Sequence, residues 1–219
     1  MYLRTLGNAG DPGHSHGEPR TIHDFGGFPK ELYEIQYPAP GMPQLAKEIK
    51  SMTKSAEVSL DEKWGLDHGE WTVIRQMYPK ADIPVIQLSL DYYKKPQQHY
   101  ELAKELYELR QKGILIVGSG NLVHNLALVN WQKLNENYGY DWANEADYKM
   151  KQLVLNGNHQ ALIDYSKQGK AFELSIPTPE HYLPLLYALA LQDIKDEIKI
   201  FNDEPVGGSL TMTSVKIGK

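Results

Sequence analysis

Apolar residues in this chain recur with a helical period in some stretches and crowd into short runs in others, and the two kinds of stretch alternate. Within 43–54, Leu45, Ile49 and Met52 fall on one side, which predicts an amphipathic helix. A short strand is expected at 56–60, a helix at 70–78 that stops before Pro79, and an apolar strand at 83–90. Within 97–112, Leu102, Leu106 and Leu109 form the stripe of a further helix, with Gly113 terminating it. The run Ile114-Leu-Ile-Val117 has no polar residue and reads as a strand covered on both faces. Helices follow at 140–155, 160–166 and 179–192, the last largely buried, and strands at 197–202 and 209–217. Strands separated by helices predict an α/β fold, a mostly parallel sheet with helices on both faces. Residues 1–19 carry no such period. They are expected to form a divergent, turn-rich N-terminus ahead of one domain spanning 20–219.

In an open α/β sheet, chemistry gathers past the C-terminal ends of strands. The run ending at Val117 leads into Gly118-Ser-Gly-Asn-Leu-Val-His-Asn125, which places His124 where a ligand or an acid–base group would stand. A loop histidine that satisfies a carbonyl is the plain alternative. His181 lies in Pro177-Thr-Pro-Glu-His-Tyr-Leu-Pro184, with Thr178 as helix N-cap and Pro179 at the first helical position. There the alternative is a packed structural ring. Thr21-Ile-His-Asp-Phe-Gly-Gly-Phe-Pro29 sets His23 beside Asp24, and Trp64-Gly-Leu-Asp-His-Gly-Glu-Trp71 sets Asp67 beside His68. A carboxylate next to an imidazole can fix its tautomer. His99, in a polar helix, and His159, near Asn156-Gly-Asn158, read as ordinary surface residues.

The chain has 219 residues, enough for one sizeable domain with a real core. Its net charge of −5, without a basic stripe, argues against a general nucleic-acid binder. It has no cysteine, so disulfide scaffolds and thiolate metal sites drop out, and any metal would rest on His, Asp, Glu or Tyr. No apolar run reaches membrane-spanning length and the first residues lack a signal-peptide core, which makes a cytoplasmic enzyme or binding protein the default. A serine hydrolase through Ser119 fails because Val117 stands where Gly-x-Ser-x-Gly needs its first glycine. A dinucleotide loop fails because Val123 replaces the third glycine.

Three more segments complete the picture: Tyr37-Pro-Ala-Pro-Gly41, Val85-Ile-Gln-Leu-Ser89 and Gly207-Gly-Ser-Leu-Thr-Met212. Together with the histidine motifs, in order along 20–219, they resemble the class III extradiol ring-cleavage dioxygenases, LigB-like, in the DOPA 4,5-dioxygenase branch. The resemblance implies a LigB-like α/β fold that opens catecholic rings with O2 at a non-haem divalent metal, Fe(II) for catalysis or Zn(II) as bound. It implies a catecholic small molecule and O2 as partners, with no nucleic acid and no membrane. It makes His124 the acid–base group and a metal ligand, and His181 a metal ligand. It gives His23, His68, Asp67 and Asn125 substrate-facing or supporting roles.

The family's first strand ends in Gly-His-Gly-Ser-Pro and its second in Ser-Ala-His-Trp, each supplying a ligand. Neither motif stands in this sequence, and Gly13-His-Ser-His-Gly17 follows no apolar strand. The expectation is therefore a chain truncated relative to the family, with the first strands missing, weak metal binding and marginal stability. The alternative function is a non-catalytic remnant of the fold with weak or no metal binding.

Overall fold

The computed structural model describes residues 2–4, 19–61 and 63–218, with residues 2–4 described by their backbone alone. Most of the expected N-terminal tract, His14 and His16 included, lies outside the described residues. The chain divides into two compact units, 1–91 and 92–219.

The first unit holds a three-stranded sheet in the order β2-β1-β3, with β1 at Tyr2–Arg4, β2 at Ser59–Asp61 and β3 at Gln87–Leu88. β1 runs parallel to β2, pairing Leu3 with Leu60, and antiparallel to β3, pairing Leu3 with Leu88. Around it lie α1 (Lys30–Tyr33), α2 (Pro43–Met52) and α3 (His68–Met77). Leu45, Ala46 and Ile49 are the buried face of α2, as their spacing requires. Tyr37, Ala39, Leu66, Trp71 and Ile74 form the core, with Phe25, Ile35 and Val85 packed against it. Buried polar ends are satisfied: the Tyr37 hydroxyl donates to the Tyr78 carbonyl at 3.0 Å and the Trp71 indole to the Ile22 carbonyl at 2.9 Å.

The second unit is mainly helical: α4 (Pro96–Lys104), α5 (Tyr107–Gln111), α6 (Asp141–Leu155), α7 (His159–Ile163), α8 (Lys170–Ser175) and α9 (Leu183–Ala190). Two antiparallel ribbons close it, β4 (Ile198–Phe201) with β7 (Ser214–Ile217), and β5 (Pro205–Val206) with β6 (Leu210–Thr211). Met150, Val154, Leu162, Phe172, Leu183, Leu186 and Leu189 are buried in its core. Gly113 ends α5 as expected, at φ 73°, with Ile114 N–H reaching back to the Leu109 carbonyl and Gly113 N–H to that of Arg110.

The chain has an α/β composition, but the sheets are smaller than expected, and of the strand pairs among the described residues only β1–β2 is parallel. The expected strand at 114–118 is extended chain without a ladder partner among the described residues, and Leu115 and Val117 are exposed. Only Gln87–Leu88 of the expected strand at 83–90 joins the sheet. Pro84 has no N–H to donate, and the Val85 N–H goes to the Pro40 carbonyl instead. The helix at 97–112 divides at Glu105 and Leu106, where the bonds tighten to the Leu102 and Ala103 carbonyls. The strand at 209–217 breaks because its two halves pair with different partners, while the Thr213 hydroxyl is held by Asp147 at 2.6 Å.

Two histidines set aside as surface residues are not on the surface. His99 is fully buried with Nδ1 3.0 Å from the Tyr187 hydroxyl, because it lies three residues before Leu102 on the same stripe. His159 is half-buried between the Tyr100 hydroxyl, 2.8 Å away, and the Gln192 side-chain oxygen, 2.9 Å away. Helix α9 also starts later than 179. Pro184 lacks the N–H that would bond the Glu180 carbonyl, so the helix begins at Leu183, and the Thr178 hydroxyl bonds the Glu180 carboxylate rather than capping.

Candidate active site

In the second unit, the loop after 114–117 lies hard against the turn before α9. A Cβ on Gly120 would stand 2.0 Å from the His181 carbonyl oxygen, and one on Gly118 2.6 Å from that of Pro184. The glycines are required by this close approach. Asn121 N–H donates to the His181 carbonyl at 2.9 Å, and its side-chain amide donates to the Thr211 carbonyl at 2.8 Å. Three residues on, His124 N–H donates to the Ser175 carbonyl at 2.9 Å, and His124 bridges Leu210 of β6. Asn125 is buried. Its side-chain amide donates to the Leu174 carbonyl at 2.8 Å, and its own carbonyl accepts from the Ser209 hydroxyl at 2.8 Å. It therefore secures the His124 loop.

These anchors bring the rings of His124 and His181 face to face, with centroids 3.5 Å apart and planes 11° from parallel. Burial pushes the His124 imidazole down to about 4, and His181 beside it adds to that, while Glu180 pulls the other way. His124 is thus uncharged at neutral pH, the form in which imidazole binds a metal or accepts a proton.

The first unit joins the other two histidine motifs, but not as sequence neighbours. Ile22 and Leu66 are bonded through Ile22 N–H at 2.8 Å, which lays the His23 loop alongside the start of α3. There Asp24 pairs with His68 rather than His23. One carboxylate oxygen accepts from the His68 backbone N–H at 3.0 Å and lies 2.8 Å from its Nδ1. Asp67 pairs with Gln87, whose side-chain amide donates to its carboxylate and whose amide oxygen accepts the Asp67 N–H at 3.2 Å. His23 Nε2 is 3.0 Å from the Ile35 carbonyl, which makes it the protonated nitrogen. The His23 ring also meets Phe25, Tyr33 and Trp71, with centroids 5.6–6.2 Å away.

Two residues of this group, Gln87 and Glu70, escape a reading of the sequence alone as site members, while Asp24, read there beside His23, meets His68 instead. Gln87 had a signal, being the one amide in an apolar run. Glu70 sits in the first turn of α3 with both carboxylate oxygens buried and no hydrogen-bond partner among the described residues. Burial pushes its carboxyl up to about 8, and the nearby Asp67 adds to the effect.

Imidazole nitrogens such as those of His124 and His181 fit a non-haem metal in chemical kind. They do not fit in number. Among the described residues, no group of three or more His, Asp or Glu side chains is placed to hold an ion.

Comparison with known proteins agrees with these motifs. Residues 13–211 match the family model described as the catalytic LigB subunit of aromatic ring-opening dioxygenase. The chain is 46% identical over 204 residues to an Escherichia coli K12 protein named 4,5-DOPA dioxygenase extradiol, covering 91% of this chain and 74% of that one. A Beta vulgaris protein of the same name is 34% identical over 199 residues, covering 90% and 73%. The crystal structure of an uncharacterized protein from Escherichia coli K12 superposes with a TM-score of 0.80 at 37% identity, over 99% of this chain and 80% of that one. The chain belongs to the LigB family of aromatic ring-opening dioxygenases, within the class III extradiol group.

Proposed function

We propose that this enzyme opens catecholic rings of the 4,5-DOPA type with O2, at a divalent non-haem metal for which His124 and His181 supply imidazole nitrogens. Fe(II) is the metal for turnover in this reading, and Zn(II) a bound alternative. The observation that carries it is that main-chain bonds bring His124 and His181 together, with His124 held uncharged. The names of the relatives support the substrate class. A divalent metal held there would supply a place for the catechol oxygens and O2. His124 accepts the catechol proton, a task for an imidazole that is neutral at working pH. Asn125 holds His124 in register through Leu174 and Ser209. For His23, His68 and Asp67, all in the first unit, this reading keeps the substrate-facing or supporting roles that the family resemblance implies. No described helix is long and apolar enough to cross a membrane, in keeping with a small-molecule substrate taken from water.

The test loads the purified chain with Fe(II) under anaerobic conditions, measures the metal retained after desalting, then admits O2 and L-DOPA. Stoichiometric O2 uptake with growth of a visible ring-opened chromophore is expected, and His181→Ala should abolish both metal retention and uptake. Retained metal without O2 uptake, or uptake undiminished in His181→Ala, overturns the assignment.

A further inference from the structure

We propose that Asp24 is a positioning residue that fixes the tautomer of His68, keeping the proton on Nδ1 and presenting Nε2 as a proton acceptor. As a role in catechol opening, this rests on the function proposed above; as a statement about the imidazole, it stands on geometry alone.

His68 is the first residue of α3, so its N–H has no partner inside the helix. Asp67 precedes it in the N-cap position, but the Asp67 carboxylate is taken by the Gln87 amide and makes no cap bond. Asp24, 44 residues away in sequence, fills the vacancy. The same oxygen that accepts the His68 N–H at 3.0 Å lies 2.8 Å from Nδ1 of the same residue. Burial pushes the Asp24 carboxyl up, but the bonds from His68 outweigh it and hold the group below its usual range. An ionised carboxylate only accepts, so Nδ1 must carry the proton and Nε2 is left bare in the neutral ring. Two donors of one residue held by one oxygen leave little freedom at χ1, and Phe25 meets the ring edge-on at 5.7 Å and 84°. The His68 side chain remains 45% exposed, and no described residue bonds Nε2.

A carboxylate that does nothing but cap α3 predicts a different outcome from one that sets a tautomer, and two substitutions separate them. Asp24→Asn keeps an oxygen for both donors, whereas Asp24→Ala removes it. Long-range 15N–1H spectra of the ring nitrogens, assigned with His68→Gln, read the tautomer without any need for turnover. The unsubstituted chain and Asp24→Asn are expected to show His68 protonated at Nδ1, and Asp24→Ala to shift the population to Nε2–H, with near-unchanged spectra for the other histidines. In parallel, Asp24→Ala should lower kcat for L-DOPA opening by about 10- to 100-fold with KM changed about twofold or less, and Asp24→Asn should restore most of it. An Nε2–H ring in the unsubstituted chain, or an Nδ1–H ring kept in Asp24→Ala, overturns the proposal. A tautomer that shifts while kcat stays level overturns its catalytic part. If the unsubstituted chain opens no catechol, the proposed function fails and the spectra still decide what Asp24 does.

Discussion

His124 and His181 are held in place largely by main-chain bonds around them, whereas His23 and His68 are held by bonds to their own ring nitrogens. In the second unit, Ser175, Ser209, Leu174 and Thr211 secure the loop, and the rings stack as a consequence. In the first unit, Ile35 and Asp24 each contact a ring nitrogen directly. Main-chain anchoring fixes where a ring lies; ring-nitrogen anchoring also fixes which nitrogen carries the proton. Ring-nitrogen anchoring suits a group that must offer one defined donor or acceptor. The pairing of carboxylates is equally unlike. In the first unit Asp24 meets the His68 ring and Asp67 and Glu70 lie near one another, while in the second Glu180 bears on His124.

The largest effect that would break this contrast is on turnover. His124→Ala should lower kcat for L-DOPA opening by about 100-fold or more, while His23→Ala, whose Nε2 is spent on the Ile35 carbonyl, should lower it far less. Oxygen-electrode kinetics on the two variants, with circular dichroism as a folding control, measure the difference. Equal losses would mean that the two groups are not distinct in role.

Next in size is stability. Gly120→Ala places a Cβ against the His181 carbonyl, and something must move. A loss of about 2–4 kcal/mol is expected by urea denaturation. Gly26→Ala, in the loop that carries His23, meets nothing within 4 Å and should stay within about 0.5 kcal/mol. A harmless Gly120→Ala would show that the close approach to His181 is not what positions the stacked rings.

The linear motifs of both groups were legible because each lies within a dozen residues, where spacing and turn chemistry carry the signal. Helices α2 and α6 and the Gly113 terminus followed from periodicity and turn chemistry for the same reason. What lay across the chain was not legible. The neighbour pairs His23–Asp24 and Asp67–His68 invited local pairing, but a side chain in extended chain points away from its neighbour's, and the partners cross between motifs instead. Strand 114–118 failed because an apolar run states a preference for burial, while a strand also needs a ladder partner. His99 was misread although its signal was present: positions 99, 102, 103 and 106 are all buried, at helical spacing.

The smallest effect concerns Glu70, and its sign sharpens the comparison between the carboxylate-rich group and the stacked pair. The folded-state carboxyl is held near 8, above its ordinary value of 4.5. Between those limits the folded chain binds more protons than the unfolded chain, so this group makes stability fall as pH rises from about 4.5 toward 8. Glu70→Gln is neutral at every pH and removes that slope. The variant should be more stable than the unsubstituted chain by roughly 1–3 kcal/mol at pH 8, with the gain shrinking to nothing below pH 4.5, where both side chains are uncharged. Urea titrations at pH 4.5, 6 and 8 read it directly. A gain that is the same at all three pH values would mean that burial of the side chain, rather than its ionisation, sets the cost. A loss at pH 8 would mean that the Glu70 carboxylate is ionised and has found a cationic partner, which would change the charge balance assigned to the first unit.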